Sequence, residues 1–374
     1  MEQAGQRRII RAEDVAVMGI TEILRHIPHI YRSYRKLVAS LKTERPAVAI
    51  LIDFPDVNFR LAKHCRRLHI PVLWLVSPQL WAWKRSRLRW VQKRVDRMLV
   101  IFPFEAAFYL ARNVEAEFIG HPLATLPAPT ISRTEYAAAN MFANPDRPET
   151  SSHIAKPWIA LLPGSRWKEV TANLPTMLKA AASLGPGYDF LIPVASTLDG
   201  QAFSDLAFKS VLPQLAWPTD SSITFVPDAR AALHHSVAAV IASGTATVQA
   251  LTIGNPFLVV YRVSPLTYWL AKRLIRYPAE IPAPPDAEGH LPIAMVNLIA
   301  GRRIVPELIN HNFTAQKVAE TLRPLLTDTP TRRTMLADLA EARRRLLPTP
   351  IEGRELSPIE RAADAVMTLV SSHP

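Results

Sequence analysis

Three short stretches combine residues able to do chemistry with turn residues that would hold them at strand ends. In Ile52 to Asn58, IDFPDVN, Asp53 closes an apolar run and Asp56 and Asn58 follow closely. A carboxylate at a strand end, partly desolvated in a cleft, suits a general base, because burial raises its pKa toward working pH. The alternative is that Asp53 and Asp56 cap a turn and the next helix. In Leu161 to Glu169, LLPGSRWKE, a Pro-Gly-Ser-Arg turn separates an apolar run from a helical pattern. There Gly164 would let the backbone approach a ligand, Ser165 and the helix start would present N–H groups, and Arg166 would add a bidentate cation for phosphate. In Ala242 to Ala250, ASGTATVQA, the logic repeats: Ser243, Gly244, Thr245 and Thr247 offer hydroxyls and N–H groups to phosphate or ribose. Either turn alone also reads as an ordinary strand-to-helix connection; two of them in one half of the chain point to a diphosphate.

Metal chemistry has no obvious home. No Asp-x-Asp occurs, so neither a metal nor a cofactor is expected, and cations and helix ends would have to neutralise a diphosphate. His121, His234 and His235 lack a zinc-ligand spacing and read as structural. The single cysteine, Cys65, excludes an intrachain disulfide and a multi-cysteine zinc site, suits a reducing compartment, and reads as a packing residue.

A fourth stretch carries charge. Ser77 to Trp90, SPQLWAWKRSRLRW, interleaves Trp81 and Trp83 with Arg85 and Arg87 and runs on into Lys93, Arg94 and Arg97. Nucleic acid, an anionic lipid surface and a solvated basic helix face compete for it. The whole chain has the same bias: 44 Lys and Arg against 32 Asp and Glu give a net charge of +12 over 374 residues, which favours an anionic partner.

The elements that must position these residues are parallel α/β units. Continuous apolar runs at 47–52, 72–76, 98–101, 158–162, 190–194, 238–242 and 257–260 alternate with helical patterns, as for strands covered on both faces. Polar punctuation follows each run, where parallel sheets bind ligands. The length suits two domains. A Pro-rich stretch divides them, giving a first Rossmann-like domain over 1–125, a linker over 126–156 and a second Rossmann-like domain over 157–350. A second Pro-rich break, 278–292, reads as a loop. The closing segment 357–372, with Ser357, Pro358 and Glu360 as N-cap signals, reads as an amphipathic helix that packs back on the first domain. The polar start carries no secretory signal, and no stretch is apolar enough to span a membrane.

Taken in order, VMGITEIL, IDFPDVN, SPQLWAW with Arg87, FPFE, FIGHPL, LLPGSR with Glu169, ASGTAT, PLTYWLAKRL and NLIAGRRIVPEL resemble the lipid-A-disaccharide synthase family from Val17 to about Leu308. The resemblance implies a two-Rossmann glycosyltransferase fold of the GT-B type, its domains facing a cleft. It implies transfer from UDP-2,3-diacylglucosamine to 2,3-diacylglucosamine 1-phosphate with release of UDP, by one inverting displacement. Asp53 matches the family's base. Arg166 and Asn297 match residues at the UDP diphosphate, and Gly164, Ser165, Ser243, Gly244, Thr245 and Glu307 match other nucleotide-side motifs. Acylated substrates imply a cytoplasmic protein peripheral to the anionic inner membrane, with Trp81, Trp83, Arg85 and Arg87 on the lipid side; an oligomer is compatible with this, and nucleic acid is not expected. Val296 and Asn310 stand where the family usually has proline and glutamine. The family's first strand and its Gly-Glu-x-Ser-Gly-Asp loop have no counterpart before Met18, so the first domain is expected to be incomplete and the chain as written a poor catalyst or unstable. A substrate-binding homologue without turnover, and a UDP-sugar 2-epimerase of the same architecture, are the alternatives.

Overall fold

The computed structural model describes Gly5 and residues 7–10, 20–140, 155–264, 268, 269, 273, 275–350 and 353–373, with backbone alone for 20–29. The motif beginning at Val17 and the one spanning 265–274 therefore lie partly outside the described residues. The chain forms two compact units, Met1–Gly120 with Pro348–Pro374, and His121–Leu347.

In the first unit four parallel strands lie in sequence order: β1 (Ala49–Ile52), β2 (Val72–Leu75), β3 (Arg97–Val100) and β4 (Ala116–Phe118). Val, Leu and Trp fill β2, whose Val72, Leu73 and Trp74 are fully buried. Helix Pro55–Arg67 lies along β1 and β2, and its Phe59 ring meets Trp74 at 4.8 Å between centroids. Cys65, on the same helix, is buried and its thiol is pushed up to about 11 by desolvation, which leaves it inert. β1 departs from the expectation of cover on both faces: Ala49 and Leu51 are buried while Ile50 and Ile52 remain 45% and 48% exposed. Its neighbour among the described strands is β2 alone. Helix Pro358–Ser371 also packs on β2, after a start in which Ser357 Oγ accepts from Glu360 N and the Glu360 carboxylate accepts from Ser357 N.

The second unit holds six parallel strands: β5 (Trp158–Leu162), β6 (Asp189–Pro193), β7 (Ile223–Val226), β8 (Ser236–Ala242), β9 (Phe257–Tyr261) and β10 (Glu307–Ile309). Their order is β10-β9-β8-β5-β6-β7. The chain winds outward from β5 through β6 to β7, then returns to the other side of β5 and winds outward again. Every residue of β5 and β6 is buried, which explains why these strands read as unbroken apolar runs. Within 126–156, helix Arg133–Asn140 belongs to this unit: Tyr136 and Ala137 join Trp158, Leu191 and Val226 in one core cluster. The Arg133 guanidinium lies 3.6 Å from the Trp158 ring centroid. Residues 141–154 lie outside the described residues. Loop 278–292 has no helix or strand.

Candidate active site

The return of the chain past β5 creates a crevice between β5 and β8 at their carboxyl ends, where parallel sheets accept ligands. Both glycine turns open there. Gly164, Ser165 and Arg166 after β5 and Ser243, Gly244 and Thr245 after β8 line one cleft of about 330 Å³. Val194 and Pro227, past the ends of β6 and β7, complete its wall. Gly164 sits at φ 128° and Gly244 at φ 155°, ψ −161°, conformations that side chains rarely adopt. Helices Trp167–Leu184 and Thr245–Ile253 begin beside these turns without a side-chain cap on their N-cap residues, so first-turn N–H groups face an incoming anion. Glu169 already acts on this turn: its carboxylate accepts from Ser165 N at 3.2 Å and pairs with Arg166 at 3.0 Å. Thr247 does not reach the cleft; it is buried and its hydroxyl donates to Gly244 O at 2.7 Å, bracing the turn.

Asn297 and Glu307 take a different place from the one expected at the diphosphate. Asn297 is fully buried. Its Nδ2 donates to Val305 O and Glu307 Oε1, and its Oδ1 accepts from Ile304 N and Val305 N. An amide has two donors and an acceptor oxygen, and these contacts use them all. The Glu307 side chain is 1% exposed, accepts from Ile293 N and Ala294 N, and lies 3.4 Å from Arg303. The pair ties helix Met295–Ala300, which carries Asn297, to the turn at 304–305 and the start of β10, and does not line the cleft.

In the first unit, Asp53 stands past the end of β1, with its N–H bonded to Leu75 O. It is exposed, so the expected desolvation is absent here. Asp53 and Phe54 both have positive φ, 44° and 42°, as does Val76 past the end of β2, at 63°. For Val76, which is β-branched, this is a costly conformation.

The basic run separates into inward and outward residues. Trp81 contradicts its expected lipid-side place: it is 2% exposed, and its indole N–H donates to Glu105 Oε1 at 3.0 Å. Burying an indole requires a partner for its N–H, and Glu105 provides it. The same carboxylate accepts from Ser77 Oγ at 2.8 Å and from Phe102 N at 3.1 Å. Burial pushes Glu105 up to about 7, against the lowering pull of those donors. Arg87 is half-buried and its guanidinium is engaged by Asp56 at 2.7 Å. Trp83 is 52% exposed with Lys84 Nζ 4.0 Å from its ring centroid, and Arg85 is exposed. Glu105 was not singled out from the sequence, although an acid inside the apolar FPFE motif is a signal for a buried, hydrogen-bonded carboxylate.

His121 is buried and its Nδ1 accepts from Leu123 N; desolvation holds it down at about 4, so it is neutral at pH 7 and caps a turn.

Comparison with known proteins gives the family and the fold. The family model for lipid-A-disaccharide synthetase matches residues 1–348. A lipid-A-disaccharide synthase of Acidobacterium capsulatum is 49% identical over 353 residues, covering 92% of this chain and 82% of that protein. One from Koribacter versatilis is 46% identical over 371 residues, covering 99% and 88%. Among solved structures, the calicheamicin glycosyltransferase CalG4 aligns with a TM-score of 0.53 at 15% identity, covering 94% of this chain and 83% of that one. An S. aureus MnaA structure with UDP aligns at 0.54 and 10% identity, covering 95% and 81%. At such identities these two speak for the fold alone.

Proposed function

The chain belongs to the lipid-A-disaccharide synthase family, and from that premise we propose how its residues divide the work of the reaction. The enzyme is a hexosyltransferase of lipid A biosynthesis that joins UDP-2,3-diacylglucosamine to 2,3-diacylglucosamine 1-phosphate and releases UDP. In our reading Asp53 of the first unit takes the proton from the acceptor hydroxyl as that oxygen attacks the anomeric carbon. The second unit receives the UDP diphosphate on the two helix starts, with Arg166 matching the charge that accumulates as the glycosidic C–O bond breaks. Bound acyl sugar would supply the desolvation that Asp53 lacks in this structure.

The observation that best supports the donor half is that both glycine turns, 80 positions apart in the sequence, fall on the two strands flanking the chain reversal, β5 and β8. A structural turn has no reason to recur there; a nucleotide site does. In the same reading Asn297 and Glu307 brace segment 293–307 rather than touch the nucleotide, and Trp83, Lys84 and Arg85 meet the anionic inner-membrane surface from the cytoplasmic side. No helix among the described residues is long and apolar enough to cross a membrane.

The test is UDP release with purified substrates alongside direct UDP binding. Asp53→Asn should lower turnover by about 10² to 10⁴ and leave UDP binding nearly intact. Arg166→Ala should weaken both. Near-parental kcat in Asp53→Asn, or unchanged UDP affinity in Arg166→Ala, would overturn the corresponding half of the assignment.

A further inference from the structure

The backbone that presents Asp53 is held in an uncommon shape by a backbone bond to β2 and by one buried side chain. Asp53 and Phe54 are consecutive non-glycine residues at positive φ, and Phe54 precedes Pro55, where the helical regions are sterically disfavoured. Such a pair persists only where its surroundings over-determine it. Two anchors do so. Asp53 N donates to Leu75 O at 3.1 Å, tying the turn to β2. Asn58, one turn into helix Pro55–Arg67 and buried, folds its Nδ2 back to donate to Ile52 O at 3.1 Å and Asp53 O at 2.7 Å. Those carbonyls lie on either side of the Asp53 N–Cα bond, so the amide fixes the direction in which the Asp53 side chain leaves the backbone.

We propose that Asn58 is a positioning residue for Asp53: by clamping the carbonyls of Ile52 and Asp53 it keeps the left-handed turn that aims the carboxylate at the acceptor hydroxyl. This rests on the reading of Asp53 as the base. No neutral side chain without a donor at that reach can replace it. Asn58→Asp keeps the shape and sets a carboxylate oxygen against two carbonyls; Asn58→Ala removes the clamp altogether.

The experiment is a double-mutant cycle on turnover, with KM for both substrates, UDP affinity and thermal unfolding measured for each protein. Asn58→Ala and Asn58→Asp should each lower kcat by about 100-fold, the scale of a small misplacement of a reacting group, with UDP affinity unchanged. The Asp53→Asn/Asn58→Ala double variant should be no slower than Asp53→Asn alone, because Asn58 acts through a carboxylate already lost. A kcat within threefold of parental in either folded Asn58 variant would overturn the proposal. So would a double variant slowed by the full additional factor, or failure of both Asn58 variants to fold, which would make Asn58 a structural cap. Near-parental kcat in Asp53→Asn would instead remove Asp53 as the base, and this proposal with it.

Discussion

Asn297 and Glu307 form a closed pair: the Asn297 Nδ2 sits 2.7 Å from Glu307 Oε1, and the remaining bonding positions of the amide are taken by the backbone of residues 304 and 305. Both brace segment 293–307, helix Met295–Ala300 included, from inside it. Their value to the enzyme is therefore conformational, and the consequences of losing them can be separated from those of losing a ligand contact.

Asn297→Ala should lower the unfolding free energy by about 2 to 4 kcal/mol, since it leaves two buried N–H groups and the Glu307 carboxylate short of partners. Chemical denaturation measures this. At a temperature where the variant is folded, its UDP affinity should stay within about threefold of parental, a difference below ~1 kcal/mol. A stable variant that had lost UDP binding would return Asn297 to the diphosphate.

In the second unit β5, β6, β8 and β9 are legible because burial on both faces leaves runs such as Trp158–Leu162 apolar throughout, whereas β7, Ile223–Val226, is too short and is interrupted by Thr224. β10 is not legible either, since three half-buried residues, Glu307–Ile309, carry no period to read. β4 escaped for the same reason. At the site, the glycine turns could be read because the backbone they need is rare, and rare backbone selects glycine. The burial of Trp81 and the pairing of Arg87 could not. Whether an aromatic or cationic side chain in a basic run faces solvent depends on a partner distant in sequence, Glu105 for one and Asp56 for the other. Asn297 shows the same limit: the family resemblance points to it as a diphosphate residue, and only packing shows that its bonds are internal.

Gly164→Ala should be more harmful than its size suggests. An added Cβ would lie 2.6 Å from both the Cβ and Oε2 of Glu169, at a φ of 128° that alanine resists. The turn must then move away from Glu169 and carry Ser165 and Arg166 with it, so UDP binding should weaken at least tenfold, or ~1.4 kcal/mol, with a fall in thermal stability. Isothermal titration and a thermal melt check both. Unchanged UDP affinity would place the diphosphate away from this turn.

Trp83 and Trp81 should respond oppositely. Trp83→Ser combined with Lys84→Gln and Arg85→Gln should leave the melting curve nearly unchanged and reduce co-sedimentation with vesicles rich in anionic lipid, because these side chains are exposed. Trp81→Ser should cost about 3 to 5 kcal/mol of stability, the range for emptying a buried tryptophan site. Vesicle binding unaffected by the triple change would remove this segment from the membrane contact.

The buried carboxyl of Glu105 should make the stability of the first unit fall as pH rises through the weakly acidic range. Its pKa is near 7 in the folded protein, against an ordinary value of 4.5, and desolvation is the principal cause. Below pH 4.5 folded and unfolded chains both hold the proton. Between pH 4.5 and about 7 the unfolded chain releases it while the folded one keeps it, so ionisation favours unfolding by up to about 3 kcal/mol across that window. Above about 7 both forms are ionised and the contribution levels off. Glu105→Gln keeps the shape and removes the titration, with its amide oxygen still able to accept from Trp81 Nε1. Relative to the parent, this variant should gain stability steadily from pH 4.5 to 7 and no further above 7, as read by urea denaturation at each pH. A difference between the two proteins that does not change with pH would mean that Glu105 is already ionised throughout, held so by Ser77, Trp81 and Phe102.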